Sequence, residues 1–278
     1  MRMRKKKWAV PELMASPLYI KEPESFRGKW QQAFEKEQPL YVELGCGKGG
    51  YASQFALLHP DVNLLAVDIS SNMLGVGRRK IDALFAENGR TPDNIRLTEY
   101  NIEHINDVIA PEDDVQRIFI NFCNPWPKPR HYKKRLTHPR QLALYKTFLR
   151  PGCEVRFKTD DDQLFEHSRE YFAENGFEIL WETFDLANSG FEGNIKTEHE
   201  AMFEAEGIKI KMLIARWPGE KDGEYPHCRC PRHERSGDHP MGRCPLCGCP
   251  APFAGTGRIP SAEKPPLGDR GAFGVLYR

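Results

Sequence analysis

The sequence lacks any long hydrophobic run. Although 40% of its 278 residues are hydrophobic, no apolar stretch approaches the roughly 18 residues of a membrane-spanning helix. The basic first residues are followed by AVPELMASPLY, in which proline and glutamate interrupt the apolar region that a signal peptide would need. We therefore expect no membrane partner and a cytoplasmic location.

The chain also has almost no net charge. Its 40 Lys and Arg residues face 39 Asp and Glu residues, a formal charge of +1, so any attraction for nucleic acid must come from local patches. Two such patches are present, MRMRKKKW at residues 1–8 and KPRHYKKR at residues 128–135. A run of like charges is often only a solvated tail, so the place of each patch in the fold decides its role.

Cysteine is scarce outside one short stretch. Of the 8 cysteines, five lie in the range 228–249, and the three earlier ones are expected to be small core residues. In a reducing compartment, such clustering indicates a metal site sooner than disulfides. The stretch CPLCG has the C-x-x-C spacing of a zinc knuckle.

A tetrahedral zinc site needs a second pair of ligands. The expected ligands are Cys228, Cys230, Cys244 and Cys247. The C-x-C pair cannot use the same turn as C-x-x-C, so His233 is an alternative fourth ligand. Unliganded cysteines in a disordered tail and redox chemistry stay open beside structural zinc.

Short runs rich in Val, Ile and Leu alternate with helical patterns from residue 40 to residue 217. Strands are expected at 40–45, 63–69, 94–100, 117–122 and 153–159, and helices at 70–88, 138–149 and 161–174. This order predicts an α/β fold with a doubly wound parallel sheet covered by helices on both faces. Two further strand-like runs follow, at 176–184 and 208–217, around a polar insertion at 185–207.

Composition divides the chain into three parts. Residues 1–39 form a basic N-terminal segment, residues 40–217 the α/β domain, and residues 218–278 a small extension rich in Cys, His, Gly and Pro. One large core with a smaller appendage suits the length of the chain.

The glycine loop ELGCGKGG, residues 43–50, follows the first expected core strand. Glycines between a strand and a helix let backbone N–H groups approach a cofactor. Gly45, Gly47 and Gly50 satisfy the dinucleotide pattern G-x-G-x-x-G, whereas Gly45, Gly47 and Gly49 satisfy the pattern of S-adenosylmethionine sites. A nicotinamide-dependent oxidoreductase is therefore one alternative.

Glu43, Asn101 and the segment Asn-Pro-Trp-Pro after the fourth strand favour the methyl donor. Asp68 ends the second strand and can accept both ribose hydroxyls with either cofactor. Glu43 lies where a carboxylate can act on the cationic end of S-adenosylmethionine, and Asn101 lies where an amide could bond the adenine edge. We expect these residues, with the glycines, to bind the donor.

The basic patch at residues 128–135 directly follows the fourth strand and the segment Asn-Pro-Trp-Pro. Ligands of a doubly wound sheet bind outside the carboxyl ends of its strands, so the patch should border the same site. Pro125 and Pro127 fix the backbone there, and Trp126 is either a flat binding face or a core plug. Such cations would position a phosphate backbone rather than read a base sequence.

Six motifs in order resemble those of one family across roughly residues 1–217. They are RMRKKKWA, FRGKW, ELGCGKG, NFCNPWPKPRHYKKRLT, FKTDDD and GNIKTEHE. Together they look like the bacterial tRNA (guanine-N(7)-)-methyltransferases. The resemblance implies a class I S-adenosylmethionine-dependent fold, tRNA as the partner, and methylation of a variable-loop guanine; the Cys-rich extension lies outside it.

The same resemblance assigns site residues. Cofactor-binding positions are Glu43, Asp68, Asn101 and Asn124. Substrate positions are Lys128, Asp160, Thr197, Glu198, His199 and Glu200. The RNA-contacting segment is Arg130, His131, Tyr132, Lys133, Lys134 and Arg135.

The family commonly has Asp where this chain has Asn101 and Asn124, and the second of these Asp residues is usually assigned a catalytic role. The 7-nitrogen of guanine carries a free lone pair, so the reaction needs alignment of an unstacked base rather than proton removal. Asn124 can still accept a hydrogen bond through its oxygen. We therefore expect an active enzyme, in which Asn124 and Asp160 are catalytic and Asn124 positions rather than takes a proton.

Asp160 and Glu200 are the candidate carboxylates that accept the ring N–H and amine of guanine and favour the cationic product. Asp160 could instead cap the helix that follows it. A non-catalytic RNA-binding protein with the same fold is the alternative function, and both a monomer and a homodimer are open.

Overall fold

The computed structural model describes residues 5–219. Its strands are β1 (Tyr19–Ile20), β2 (Leu40–Leu44), β3 (Asn63–Asp68), β4 (Ile95–Glu99), β5 (Val115–Asn121), β6 (Leu149–Thr159), β7 (Glu178–Thr183) and β8 (Lys211–Arg216). Its helices are α1 (Ala9–Met14), α2 (Gly50–Leu58), α3 (Ser71–Glu87), α4 (Pro139–Tyr145), α5 (Asp162–Glu174) and α6 (Glu198–Ala205). No helix among these residues is long and apolar enough to cross a membrane.

The eight strands form one sheet in the order β1-β4-β3-β2-β5-β6-β8-β7. Pairs from β1 to β6 are parallel, whereas β8 pairs antiparallel with both β6 and β7. The chain leaves β2 toward β3 on one side and returns to β5 on the other. This reversal is the point where an open α/β sheet forms its ligand crevice, and the expected doubly wound α/β fold is confirmed.

The central strands of the sheet are mostly apolar, because both faces of the sheet are buried. On β3, Leu65 and Val67 belong to a core that includes residues of α4 and α5. Leu64 and Ala66 belong to a second core that includes residues of α2 and α3. The alternation of these partners along one strand explains why the strands appear as continuous apolar runs.

The structure differs from the expected helix at 138–149. Helix α4 ends at Tyr145, and β6 begins at Leu149 and runs through Pro151 and Gly152. The register with β5 shifts between the Val115–Leu149 pair and the next pair. Proline is tolerated in such an irregular stretch because its missing N–H breaks no regular ladder bond.

The polar insertion at 185–207 contains a helix that the sequence analysis did not predict. Helix α6 begins after Thr197, whose Oγ1 accepts the backbone N–H of Glu200 at 3.1 Å. The stretch TEHE has the T-x-x-E spacing of a capping box. This spacing was the available signal for the helix.

Residues 5–39, the described part of the basic N-terminal segment, add elements to the same sheet. Strand β1 pairs with β4 at one edge. Trp30 is fully buried and donates its indole N–H to the carbonyl of Val108 at 2.7 Å. Helix α1 packs on α3, where Gly75 faces the backbone of Ala9.

A side chain at Gly75 would disrupt this helix contact. A Cβ there would lie 2.2 Å from the carbonyl oxygen of Ala9, so the two backbones would have to separate. We expect Gly75→Ala to lower the free energy of unfolding by about 1–3 kcal/mol, measured by denaturant titration. Gly50→Ala is the matched control, because a Cβ there meets nothing within 4 Å; equal losses in both variants would contradict the packing argument.

Candidate active site

A cavity of about 940 Å³ lies at the carboxyl ends of the strands that flank the reversal. Five successive strands, β2 to β6, each place one predicted site residue in its wall. They are Glu43, Asp68, Asn101, Asn124 and Asp160. The structure therefore brings together residues that are far apart in the sequence, from Glu43 to Asp160.

Glu43 is a buried acid with one open oxygen, meaning an oxygen that has no hydrogen-bond partner within residues 5–219. Its side chain is 2% exposed, and its Oε1 accepts the Nδ2 donor of Asn121 at 3.0 Å. Its Oε2 is buried without a hydrogen-bond partner within residues 5–219. Burial raises the pKa of Glu43 to about 7, although Asn121 and the nearby ammonium of Lys158 favour the charged form. Such a group beside a cavity favours a cationic ligand.

Asp68 is held by the glycine loop. Its two oxygens accept the backbone N–H groups of Gly47 at 2.8 Å and Ser70 at 2.9 Å. Gly45 and Gly47 have φ angles of +79° and +55°, which glycine adopts without strain. Burial raises the pKa of Asp68, and the two N–H groups oppose that shift. The carboxylate is thus fixed at the cavity wall with lone pairs left for hydroxyl donors.

Gly49 has a different place from the other two predicted glycines. It precedes α2 with a φ of +65°, and a Cβ there would lie 3.4 Å from the Cα of Gly77 on α3. Gly49 does not line the cavity. Its position therefore serves the close approach of the loop to α3.

The wall suits an adenosine-containing cation. The carboxylate of Glu43, whose buried Oε2 has no hydrogen-bond partner within residues 5–219, can attract the cationic end, and Asp68 can accept ribose hydroxyls. Asn101 accepts the N–H of Glu103 at 3.1 Å through its oxygen, which leaves its amide N–H groups for the edge of a base. The residues present therefore fit S-adenosylmethionine.

The segment after β5 is strained at two side-chain-bearing residues. Phe122 and Trp126 have φ angles of +52° and +43°, and such conformations occur at functional sites where the surroundings hold them. Asn124 stabilises the turn, because its Oδ1 accepts the N–H of Trp126 at 3.0 Å. Trp126 lines the cavity, with the Lys134 ammonium 5.0 Å from its ring centre. It is a wall of the cavity rather than a core plug.

Two neighbouring acids after β6 have different roles. Asp161 caps α5, because its Oδ1 accepts the N–H of Leu164 at 2.6 Å. Asp160 is only partly buried, lines the cavity, and has a pKa raised by burial. The helix-cap alternative for Asp160 thus belongs to its neighbour, and the carboxylate of Asp160 faces the cavity.

Helix α6 and its N-cap form the cover of the cavity. Thr197, Glu198 and His199 line it. The ring of His199 stacks on Phe122 with centroids 6.0 Å apart, and Glu198 pairs with Lys80. The insertion between β7 and β8 thus supplies one side of the site.

Glu200 lies behind this wall rather than in it. It is 1% exposed, and its carboxylate accepts hydrogen bonds from the Lys158 ammonium at 3.0 Å and from the Asn194 amide. A contact of Glu200 with substrate stays a prediction. Lys158 and Asn121 were not among the functional residues predicted from the sequence, and the available signal was a lone polar residue near the end of each apolar strand.

The basic segment divides into exposed and buried cations. Exposed cations lie on the turn Pro129–Lys134 and just before it: Lys128, Arg130, Lys133 and Lys134. His131 and Tyr132 are partly buried. Lys134 also lines the cavity, so the turn borders the site.

Arg135 is placed differently from the expectation that it contacts RNA. It is 0% exposed. Its Nε donates to the carbonyl of Pro125 at 2.7 Å, and one terminal nitrogen lies 2.7 Å from Nδ1 of His167. Its guanidinium also stacks 3.7 Å from the ring centre of Tyr132. Because these contacts take the side chain inward, Arg135 braces the strained segment after β5 instead of facing solvent.

The predicted zinc ligands Cys228, Cys230, Cys244 and Cys247 lie outside the described residues. Within residues 5–219, no group of three or more His, Cys, Asp or Glu side chains could hold a metal ion.

The strand order, the glycine loop after β2, the acid at the end of β3 and the cavity at the reversal define a class I S-adenosylmethionine-dependent methyltransferase. The 16S rRNA methyltransferase KamB has a similar fold, with a TM-score of 0.50 and 14% identity over 68% of this chain and 92% of that one. At this identity the likeness concerns the fold alone.

The sequence itself defines the family. A family model described as "Putative methyltransferase" matches residues 37–213. The tRNA (guanine-N(7)-)-methyltransferase of Clostridium beijerinckii is 52% identical over 77% of this chain and 98% of that protein. The enzyme of the same name from Ruminiclostridium cellulolyticum is 50% identical over 78% of this chain and 92% of that protein. The chain belongs to the tRNA (guanine-N(7)-)-methyltransferase family.

The raised pKa of Glu43 predicts pH-dependent binding of the donor. As pH falls through about 7, Glu43 takes up a proton and loses its attraction for a cation. The affinity for S-adenosylmethionine, measured by calorimetry, should therefore decrease between about pH 8 and pH 6. Glu43→Gln should bind about tenfold more weakly at pH 8 and lose most of this dependence.

Glu170→Gln, an exposed acid of α5 away from the cavity, is the control and should follow the wild-type profile. An unchanged pH profile in Glu43→Gln would show that another group controls the affinity.

Proposed function

We propose that the chain transfers the methyl group of S-adenosylmethionine to the 7-nitrogen of a guanine in tRNA, in the variable loop as the family resemblance implies. The main support is one juxtaposition: a cavity suited to the donor is bordered by the exposed cations of the 128–134 turn. The relatives described above carry the same activity in their names and are about half identical to this chain. The predicted cytoplasmic location is where tRNA would be met.

On the donor side, Glu43 would bind the cationic end, Asp68 the ribose and Asn101 the adenine edge. Gly45 and Gly47 would let the donor approach the backbone. Bound S-adenosylmethionine supplies an electrophilic methyl group on a positively charged sulfur. The buried acid and the glycine loop would hold the donor at the cavity wall and exclude water from it.

On the guanine side, Asp160 would accept the ring N–H and the exocyclic amine and would favour the positive charge that develops on the base. Burial raises the pKa of Asp160, so bonds from the base would replace lost solvent. Trp126 offers a flat ring against which an unstacked base can pack. Because the 7-nitrogen already has its lone pair, no residue has to remove a proton from it.

The exposed cations would position the RNA. Lys128, Arg130, Lys133 and Lys134 are exposed on or just before the turn that borders the cavity through Lys134, and they would contact phosphates. Lys134 also touches the ring of Trp126, so phosphate binding and base placement would occur side by side. Thr197 and His199 also line the cavity.

The experiment that tests the function is methyl transfer from labelled S-adenosylmethionine to unmodified tRNA, with the modified nucleoside identified by mass spectrometry. We expect 7-methylguanosine. The alternative, a non-catalytic RNA-binding protein, is favoured by the Asn residues at positions 101 and 124. Binding of tRNA and donor without methyl transfer would support that alternative and contradict the proposal.

Asn124→Ala should reduce turnover about tenfold, because the turn that places Trp126 loses the bond to its N–H. Because Asn124 lines the donor cavity and is also a predicted cofactor-binding position, the affinity for S-adenosylmethionine should decrease as well. Steady-state methylation and calorimetry on the same preparations measure both. Asn88→Ala removes an exposed asparagine at the end of α3 and is the control; unchanged turnover in Asn124→Ala would remove Asn124 from the mechanism.

We also propose that the extension at 218–278 holds one structural zinc ion, a proposal that rests on the spacing of its cysteines. The ligands would be Cys228, Cys230, Cys244 and Cys247, with His233 as the alternative for one position. Metal analysis of the purified protein should give about one zinc per chain, and Cys244→Ser with Cys247→Ser should abolish it. Absence of zinc from the wild-type protein would refute the site.

A further inference from the structure

Lys158 is a buried charged residue next to the carboxyl end of β6. It is 2% exposed. Its ammonium donates to the carboxylate of Glu200 at 3.0 Å, the side-chain oxygen of Asn194 at 3.0 Å and the carbonyl of Ile195 at 3.1 Å. All three partners belong to the insertion, so this one side chain ties β6 to the segment that carries α6.

The same lysine lies beside the acid of the donor cavity. In the parallel register Lys158 pairs with Asn121, and Glu43 pairs with Phe119, two residues before Asn121. Paired residues of neighbouring strands point to the same face, so Glu43, Asn121 and Lys158 share one face. Asn121 bonds Glu43 at 3.0 Å, and the Lys158 ammonium favours the charged form of Glu43. Hydrogen bonds and electrostatic attraction therefore connect Glu43 at the cavity wall with helix α6.

Glu43, Lys158 and Glu200 form a buried cluster whose charges do not balance. Glu43 and Glu200 are two carboxylates, and Lys158 is the ammonium between them. With both acids ionised, the cluster carries one surplus negative charge next to the open Oε2 of Glu43. A positive group bound at that oxygen would neutralise the cluster, which lowers the cost of burying its charges.

We propose that Lys158 is a positioning residue of the donor site: it holds α6 against the cavity and leaves Glu43 as the open acid that a cationic donor neutralises. This rests on the donor-binding part of the proposed function. Helix α6 is held at its first turn, since Glu200 is the third residue of the helix and Thr197 is its N-cap. The placement of Thr197 and His199 at the cavity wall thus depends on Lys158.

A role in stability alone makes a different prediction. Removing one partner of a buried ion pair is strongly destabilising, whereas replacing both by apolar residues is often neutral. If Lys158 and Glu200 only stabilise the fold, an apolar pair should restore every property. If Lys158 positions the donor site, an apolar pair should restore stability and leave donor binding impaired.

The test compares Lys158→Met, Glu200→Gln and the double variant Lys158→Met with Glu200→Met. Calorimetry without RNA measures the affinity for S-adenosylmethionine, and thermal unfolding measures stability. Each single variant should unfold at a lower temperature and bind more weakly. The double variant should unfold at a higher temperature than either single variant and still bind about tenfold more weakly.

Lys209→Met is the matched control, because Lys209 pairs at 3.0 Å with Asp185 of the same insertion and is largely exposed; it should bind the donor like the wild type. Wild-type affinity for S-adenosylmethionine in the double variant would overturn the proposal. If both Lys158 variants fail to fold, wild-type affinity in Glu200→Gln would overturn it instead. If the wild-type protein binds the donor but does not methylate tRNA, the proposed function is contradicted. The inference about Lys158 is still tested in that case, because it depends only on the donor affinities of the variants.

Discussion

The reversal of strand order between β2 and β5 is the constraint on which the site depends. Because β3 and β5 lead away from β2 in opposite directions along the sheet, no connection crosses the carboxyl ends of these strands, and a crevice opens there. Every strand from β2 to β6 delivers a polar residue to that crevice. The site therefore follows from topology, and its chemistry follows from which residue stands at each strand end.

Residues of the same type have different roles here, because some of them are exposed and others are buried. Lys128 and Lys134 are exposed and suited to phosphates, whereas Lys158 is buried and joins the insertion to the sheet. Arg130 is exposed, whereas Arg135 braces the segment that carries Trp126. A net charge of +1 is compatible with an RNA-modifying enzyme because the cations are divided between a small exposed rim and internal supports.

Asn101 and Asn124 stand where the family resemblance implies acids, and both are consistent with this chemistry. Asn124 and Asn101 each use a side-chain oxygen to hold a nearby backbone N–H, a task that an amide performs as well as a carboxylate. Because the 7-nitrogen of guanine already carries a lone pair, the protein only has to align it with the donor and stabilise the positive charge that develops. Glu43 and Asp160 both line the cavity, and in the proposed function positive charge enters beside Glu43 and develops beside Asp160.

The sequence by itself determined the core strands, the helices after β3 and β6, the glycine loop and the acids at strand ends, because these depend on local periodicity and on turn chemistry. Tertiary structure decided that Asp161 caps the helix while Asp160 faces the cavity, that Arg135 turns inward, and that β6 begins at Leu149. It also decided the pairing of Lys158 with Glu200, which are 42 positions apart. Neighbouring residues of like charge look alike in a sequence, and only packing against distant elements fixes which of them is buried and which meets the substrate.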